Sequence, residues 1–302
     1  MRSDGDTWDI VSSVGRTALG VATFRAVETE RRDPLIHDEF ARWFVEAAGE
    51  PRFAEILTDP SVIDEQDFFL RMMGPRTRYF DDYFTDAAAH GVRQAVILAA
   101  GLDARAYRLD WLAGATVFEI DRDTVLEFKN KVLGDHAAEP RADRRTVAAD
   151  LRENWPATLT AAGFDAATPT AWLAEGLLPY LPGVAQDSLF ERIDELSAGG
   201  SRLGAHSGPA GPGDLQRFRT FIEARMQAGP WGSDAPFDLW YDDARADPID
   251  WLAERGWTVR GITVPELFAS YDRPMPDMPD LPPELAALRN RASFWTAEKQ
   301  HG

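Results

Sequence analysis

The pattern of apolar and polar stretches along the chain predicts buried strands that alternate with amphipathic helices. The clearest segment is QAVILAAGLDARAYRLDWLAGATVFEID, residues 94–121. It has an apolar run at residues 95–100, a turn at Gly101, and a second apolar run at residues 115–120 that ends on Asp121. A buried strand, a glycine turn, a short helical crossover and a strand with a terminal acid are typical of the first half of a nucleotide-binding α/β sheet.

Further strands and helices are predicted to alternate after this unit. Strands are expected at 144–150, at 170 to about 175, and at 201–207, 257–263 and 292–298. Helices are expected at 123–133, 151–163, 184–198, 214–228 and 248–256 and after residue 283. This alternation predicts an α/β fold with a doubly wound, mostly parallel, Rossmann-like sheet. We expect a single domain over residues 1–302, with a cofactor-binding core at 91–207 and substrate-side elements and closing strands at 208–302.

The first ninety residues are predicted to form a helical cover over that core. Apolar positions between residues 13 and 30 recur close to a 3.6 period, which predicts one helix there. A second helix is expected from Pro34 to about Gly49, because proline is favoured in a first helical turn. Residues 64–90 are predicted to be helical in two pieces, separated at Gly74-Pro75.

Composition and charge narrow the classes of function. The chain has 50 acidic and 32 basic residues and a net charge of −18, so we expect it to repel nucleic acid. It has no cysteine, which excludes disulfides, thiolate metal sites and thiol nucleophiles. Its histidines show no metal-ligand spacing, so we predict no metal. With no apolar leader and no membrane-length apolar run, a cytoplasmic protein without membrane insertion is expected. No oligomeric state is predicted.

Three acids follow three successive predicted strands: Asp121, Asp150 and Glu175. A single acid at such a position is more often a helix cap or a solvated turn residue. Three in register favour a ligand site, because open parallel sheets bind ligands outside the carboxyl ends of their strands. Asp121 is placed to accept hydrogen bonds from ribose hydroxyls, Asp150 with Leu151 to contact adenine, and Glu175 to accept from a ligand ammonium.

A basic residue before the first strand, Arg78 or Arg76, can pair with a ligand carboxylate. Ribose, adenine, ammonium and carboxylate together describe S-adenosylmethionine better than NAD. Both arginines lie on a predicted helix, where surface ion pairs are the usual explanation.

The glycine turn favours the same cofactor. NAD binding favours G-x-G-x-x-G, whereas this chain has Ala99, Gly101 and Ala104 at the corresponding positions. Asp103 stands where a diphosphate would have to lie, and a positively charged sulfonium tolerates that acid. Arg105, beside Asp103, is expected to form structural ion pairs, as is Arg108 beside Asp110.

Several segments together resemble the leucine carboxyl methyltransferase-related family, most closely an actinobacterial branch of S-adenosylmethionine-dependent methyltransferases that includes O-methyltransferases of natural products. These segments are SVGRTALGVATFRAVETERRDPLIHDEFA (13–41), RTRYFDDYF (76–84), VILAAGLDARAYRL (96–109), VFEIDRDTVLEFKNKVL (117–133), AADL (148–151) and WLAEGLLPYLP (172–182). They cover most of the first 180 residues, and after about residue 208 the resemblance is weak.

The resemblance implies a role for individual residues. It implies that Arg78 holds the methionine carboxylate and that Asp121 binds the ribose. Asp150 and Leu151 would contact adenine, and Glu175 would lie near the methionine moiety.

The resemblance also implies features of the glycine turn and of the N-terminal helical cover. The family's usual Gly-Ala-Gly is altered at Ala99 and kept at Gly101, and a methyl group at residue 99 needs a negative φ. The cover over residues 13–41 would turn Arg16 and Thr17 towards the site.

The reaction implied is an in-line methyl transfer to a small molecule or carboxylate, in secondary metabolism. A carboxylate needs no base, whereas a hydroxyl benefits from one, for which Tyr180, His206 and Tyr241 are candidates. No catalytic residue is assigned. A pocket for an apolar acceptor is expected to be lined by the tryptophans at 231, 240 and 251. Two alternatives stay open: an NAD-dependent oxidoreductase, and a non-catalytic member that binds the cofactor.

Overall fold

The computed structural model of the chain describes residues 13–63, 67–207, 214, 216–218, 220–221, 240–278, 281–289 and 291–301. Most of the helix predicted at 214–228, and Trp231, lie outside the described residues. That the whole chain forms one domain stays a prediction.

The described strands form one seven-stranded sheet. They are β1 (Gln94–Leu98), β2 (Thr116–Asp121), β3 (Asp143–Ala148), β4 (Thr170–Ala174), β5 (Arg202–His206), β6 (Trp257–Thr263) and β7 (Ala292–Lys299). The strand order is β3-β2-β1-β4-β5-β7-β6. The first five strands are parallel, and β7 is antiparallel to both β5 and β6. The doubly wound, mostly parallel sheet is therefore confirmed.

Eleven α-helices are described around this sheet. They are α1 (Ser13–Thr29), α2 (Glu39–Ala48), α3 (Pro51–Thr58), α4 (Phe68–Ala89), α5 (Arg105–Arg108), α6 (Asp123–Asp135), α7 (Trp155–Ala161), α8 (Gly183–Glu195), α9 (Pro248–Ala253), α10 (Val264–Ser270) and α11 (Pro283–Arg289). Short 3₁₀ turns lie at Pro60–Val62 and Leu178–Tyr180. Among the described residues, no helix is both long and apolar enough to span a membrane.

Two boundaries in the helical cover differ from the sequence prediction. The second helix begins at Glu39 and not at Pro34, because the Asp38 side chain accepts a hydrogen bond from the amide of Ala41 at 3.1 Å and caps the helix there. The two helical pieces predicted around Gly74-Pro75 are one continuous helix, α4, with Pro75 inside it. Its proline turn is buried, and a Cβ at Gly74 would lie 2.7 Å from Glu28 of α1, so close packing favours one continuous helix.

The core has two layers, one on each face of the sheet. Strand β1 shows why, since all five of its residues are buried and successive side chains point to opposite faces. Ala95 and Ile97 join the cluster beneath the cover helices, whereas Val96 and Leu98 join the cluster on the other face. The carboxyl ends of the central strands are thereby fixed from both sides.

Candidate active site

A cavity of about 270 Å³ lies at the carboxyl ends of the parallel strands. It contains three acids from three strand ends, Asp121, Asp150 and Glu175, as the sequence predicted. The helical cover contributes part of the wall through α1 and α4, including Thr17 and Arg76. The cavity is thus bounded by both the sheet and its cover.

The turn after β1 forms one wall, and its backbone is left-handed at two positions. Gly101 has a φ of 49°, and Ala99 has a φ of 51°. The negative φ that a methyl group at residue 99 requires is therefore not present, and an alanine in this region costs about 1–2 kcal/mol. Of the three left-handed non-glycine residues among those described, Ala99, Ala137 and Asp272, Ala99 is the one that lines the cavity. A Cβ at Gly101 would lie 3.5 Å from Ala18, so the cover approaches this turn closely.

Asp121 stabilises the turn after β1 through hydrogen bonds to backbone amides. Its Oδ2 accepts a hydrogen bond from the amide of Gly101 at 2.6 Å, and its Oδ1 accepts from the amide of Arg122 at 2.7 Å. Burial raises the pKa of this carboxyl above its ordinary value, although the two amide hydrogen bonds act in the opposite direction. The carboxylate still lines the cavity, so it serves the fold and can also face a ligand.

Asp150 lies two residues beyond β3 and is held by two arginines. Arg122 donates to its Oδ2 at 2.5 Å, and Arg152 forms a second ion pair at 2.6 Å. The hydrogen bond from Arg152 is the main reason that the pKa of Asp150 lies below its ordinary value. Leu151 is buried and forms part of the adjacent wall. Neither arginine was among the site residues predicted from the sequence, although each closely follows one of the predicted acids.

Glu175, directly after β4, is bound on both oxygens. Arg76 donates to Oε1 at 2.7 Å, and Arg105 donates to Oε2 at 2.9 Å. Burial alone would raise the pKa of this carboxyl, but Arg105 and Arg76 outweigh it and hold the pKa below the ordinary value. Glu175 is therefore a fixed carboxylate at the cavity wall.

Arg78 does not reach the cavity. Its side chain is 48% exposed and pairs with Asp82, one helical turn further along α4, at 2.8 Å. Two residues on an α-helix differ by roughly 200° in direction, so Arg76 and Arg78 point to nearly opposite sides. Of the two arginines that the sequence offered for a ligand carboxylate, the structure places Arg76 on the cavity wall and Arg78 away from it.

Arg105 is the centre of a buried ion-pair network beneath the site. Its side chain is 3% exposed and pairs with Asp81, Asp103 and Glu175. The Arg105 charge holds the pKa of Asp103 at about 2 against the opposing effect of burial. The expected structural role of Arg105 is confirmed.

Arg108 also forms a structural ion pair, as expected, although not with the neighbouring Asp110. Arg108 pairs with Asp81 at 2.6 Å, whereas Asp110 pairs with Arg141 at the surface at 2.8 Å. The α5 helix therefore turns Arg108 inward and leaves Asp110 in solvent.

The remaining expected cavity residues divide into two groups. Thr17 and His206 line the cavity, and the Thr17 Oγ1 and the His206 Nδ1 are buried with no hydrogen-bond partner among the described residues. Burial, with a contribution from the Arg76 charge, lowers the pKa of His206 to about 3. Arg16 points elsewhere, because it pairs with Glu50 at 3.5 Å.

Of the aromatic candidates, Tyr180 and Trp240 line the cavity. Trp251 does not, because its ring packs in the core 5.9 Å from that of Phe190. Tyr241 is also absent from the wall, and its amide donates to the carbonyl of Pro179. Within the described part of the chain, no cluster of histidines and acids is arranged to hold a metal ion.

A second cavity, of about 330 Å³, lies apart from the strand ends, between α1, α4 and α10. Its wall includes charged groups that already pair with one another, Arg31 with Glu28 and Arg273 with Asp33. We therefore place the functional site in the cavity at the strand ends.

Comparison with known proteins fits this geometry. Residues 18–194, more than half of the chain, match the model of the family described as leucine carboxyl methyltransferase. The chain belongs to this family. A Rhodococcus jostii (strain RHA1) protein named "Putative S-adenosyl-L-methionine-dependent methyltransferase" is 58% identical over 99% of this chain and 100% of its own length. A Mycobacteroides abscessus protein of the same name is 49% identical over 100% of this chain and 99% of its own.

Solved structures show the same fold in this member of the leucine carboxyl methyltransferase family. The crystal structure of a Thermobifida fusca protein, titled a "putative methyltransferase", superposes with a TM-score of 0.50. The two chains share 15% identity, and the match covers 93% of this chain and 94% of that one. At this identity the likeness shows a common fold, a methyltransferase-type Rossmann-like sheet, and nothing further.

Proposed function

We propose that this family member transfers a methyl group from S-adenosylmethionine to an oxygen of a small molecule or of a carboxylate. The family and the names of the close relatives support an S-adenosylmethionine-dependent methyltransferase. The oxygen acceptor, its small size and a place in secondary metabolism are our proposal, which the resemblance to natural-product O-methyltransferases supports.

One observation carries the proposal: a single cavity unites the acids of three strand ends with Arg76 of the cover. These groups fit S-adenosylmethionine, because each acid can accept hydrogen bonds from a hydroxyl, an amine or an ammonium group of the cofactor. The arginine can form an ion pair with its carboxylate. A nicotinamide dinucleotide fits less well, because the fixed carboxylate of Asp103 lies on the same wall, where a diphosphate would approach.

We assign the cofactor contacts as follows. Asp121 binds the ribose hydroxyls, and Asp150 with Leu151 contacts the adenine. Arg76, in place of Arg78, binds the methionine carboxylate. Glu175 fixes Arg76 and offers its remaining lone pairs to the ammonium.

We also assign the left-handed turn at Ala99 and Gly101, which lines the cavity, as backbone wall beside the cofactor. S-adenosylmethionine supplies an electrophilic methyl group on a positively charged sulfur. The residues of this chain then have to orient the acceptor and exclude water, and positioning of this kind can lower a barrier by about 7–11 kcal/mol. The enclosed wall built by α1 and α4 serves that exclusion.

Calorimetric titration tests the assignment. S-adenosylmethionine and S-adenosylhomocysteine should bind, and NAD should not. Asp121→Ala should weaken cofactor binding by about 1–3 kcal/mol, since partners are left unpaired. Arg78→Ala is the control on the exposed face of α4 and should bind as the parent does. Unchanged affinity in Asp121→Ala would refute the ribose assignment.

Catalysis needs a separate test, because a non-catalytic member would also bind the cofactor. Methyl-labelled S-adenosylmethionine should label members of a panel of carboxylic acids and phenols. Binding without any labelled product across that panel would favour a non-catalytic role and contradict the proposal.

A further inference from the structure

The cavity has two ends, which are set by the strand order. Asp121 and Asp150 mark the β2–β3 end, and His206 marks the end of β5. Three strand spacings separate β2 from β5 in the sheet, which is about 14 Å. If the adenosine lies at the β2–β3 end, as proposed above, the β5 end is left for the methyl acceptor.

Aromatic side chains contribute to the cavity wall. Tyr180 and Trp240 line the cavity, with ring centroids 6.1 Å apart in an edge-to-face arrangement. The imidazole of His206 lies against Phe294, with ring centroids 4.6 Å apart. Such surroundings favour an acceptor with an apolar or aromatic body.

The orientation of His206 determines which nitrogen can meet a ligand. Its Nδ1 is buried without a partner among the described residues, while the residue itself reaches the cavity. The nitrogen that remains for a ligand is therefore Nε2. A neutral imidazole carries its single N–H on one nitrogen, and an N–H on Nδ1 would be a buried donor with no acceptor. We therefore expect the proton on Nε2, facing the cavity.

Burial is the main reason that the His206 ring stays neutral, and the Arg76 charge adds to it. Arg76 of α4 acts on it directly, and Glu175 beyond β4 is bonded to Arg76. The ring of Tyr79 also contacts Phe294, with ring centroids 5.9 Å apart, and burial raises the pKa of Tyr79 to about 12, so it stays uncharged. Burial and the arginine together oppose protonation of His206. An imidazole that resists protonation is a poor general base at neutral pH.

We propose that His206 determines acceptor specificity by donating a hydrogen bond from Nε2 to an acceptor oxygen that is already ionised and is carried on an apolar body. This inference rests on the proposed methyltransferase function and names the chemistry of its acceptor. Two sources share that chemistry, a carboxylate and an acidic phenol. When such an oxyanion takes the methyl group, a C–O bond forms, the C–S bond breaks with its electron pair left on sulfur, and no proton has to leave.

The state of His206 can be measured without any acceptor, by ¹⁵N NMR of the imidazoles in the full chain with S-adenosylhomocysteine. His206→Gln assigns the signal by its disappearance. We expect a neutral ring with the proton on Nε2 throughout pH 5–8, where an ordinary histidine titrates. An imidazolium that titrates near its usual pKa, or a proton on Nδ1, would overturn the proposal. If S-adenosylhomocysteine does not bind, the proposed function fails, while the same spectrum of the free protein still reports on His206.

Recognition of the oxyanion is tested by titrating benzoate, 4-nitrophenolate and benzyl alcohol into the same complex. Benzoate or 4-nitrophenolate should shift the Nε2–H signal, which separates the two sources, and benzyl alcohol should not. The proposal would be overturned if neither anion shifted the Nε2–H signal, or if benzyl alcohol shifted it as much as the anions do.

Two variants isolate the hydrogen bond. His206→Gln keeps a donor and should bind the active anion within a few-fold of the parent, whereas His206→Phe should lose about tenfold or more. Equal binding by the two variants would count against the proposal. S-adenosylhomocysteine affinity is measured for each variant and should match the parent, which excludes misfolding as the cause.

Discussion

Replacement of Arg105 by methionine should leave the buried carboxylate of Asp103 without its ion-pair partner. Glu175 keeps its ion pair with Arg76, and Asp81 keeps its ion pair with Arg108. Asp103 keeps the amide of residue 105, which donates to it at 2.7 Å, but loses the buried guanidinium that pairs with it. Removing one partner of a buried ion pair typically costs 3–5 kcal/mol, so Arg105→Met should lower the free energy of unfolding by about that amount.

The stability lost in Arg105→Met should depend on pH. In the parent, the pKa of Asp103 is lowered to about 2, so its stabilising effect is present above the unfolded value near 4 and is lost as the pH falls through 2. In Arg105→Met, burial without this cation should raise the pKa of Asp103 from its value in the parent, although Lys129, Arg108 and the amide of residue 105 still act to lower it. The stability difference between parent and variant should therefore shrink as the pH is lowered below 7, because the carboxyl of Asp103 takes up a proton in the variant before it does so in the parent.

Urea unfolding followed by tryptophan fluorescence measures these differences. The double variant Asp103→Asn, Arg105→Met should recover at least half of the loss at pH 7, because no buried charge is left at residue 103. Arg141→Met is the matched control, since Arg141 is 55% exposed, pairs with Asp110 at the surface, and should change stability by less than about 0.5 kcal/mol. A loss below about 1 kcal/mol in Arg105→Met, or a double variant no more stable than the single one, would refute the reasoning.

Three further outcomes are expected. Arg76→Ala should weaken S-adenosylmethionine binding in calorimetry by about 1.5–3 kcal/mol, the range for hydrogen bonds to charged groups, while Arg78→Ala should not; the reverse order would restore Arg78 as the carboxylate ligand. Ala99→Gly should raise the free energy of unfolding by about 0.5–1 kcal/mol, because relief of a left-handed alanine exceeds the added flexibility of the unfolded chain; a destabilised variant would contradict the strain. His206 has its folded pKa lowered to about 3, so the parent loses stability as the pH falls below 6.5. Its ring partly faces the cavity, so His206→Phe should remove about 1–2 kcal/mol of the change in the free energy of unfolding between pH 7 and 5. If parent and variant lose the same free energy of unfolding over this pH range, His206 is not responsible for the change.

The sequence predicted the sheet and the strand-end acids because both follow from local pattern. A buried strand followed by an acid is visible in the chain, and parallel topology then brings Asp121, Asp150 and Glu175 to one edge. The resemblance added the family, which the comparison with known proteins confirms. The insertion of β7 between β5 and β6 depends on contacts between distant segments, which no local pattern encodes.

The errors near the site have equally physical causes. The residue pattern left Arg76 and Arg78 open, because sequence does not fix which side of a helix meets the sheet, and the resemblance then pointed to Arg78. The break predicted at Gly74-Pro75 follows local preference, whereas the packing of α4 on Glu28 keeps the helix continuous. The glycine usual at residue 99 hints at a left-handed backbone there, but the sign of φ at Ala99 depends on the folded turn and not on local sequence.

The two amide hydrogen bonds of Asp121 have a consequence for how relatives are compared. The carboxylate that we assign to the ribose also closes the turn after β1 through Gly101. Selection for folding alone would therefore retain this acid in a descendant that had lost its activity. An aspartate at this position in a relative is thus weak support for transferase activity. Cavity residues with no bond to the turn, such as His206 and Trp240, would drift first in a lineage released from selection on its chemistry.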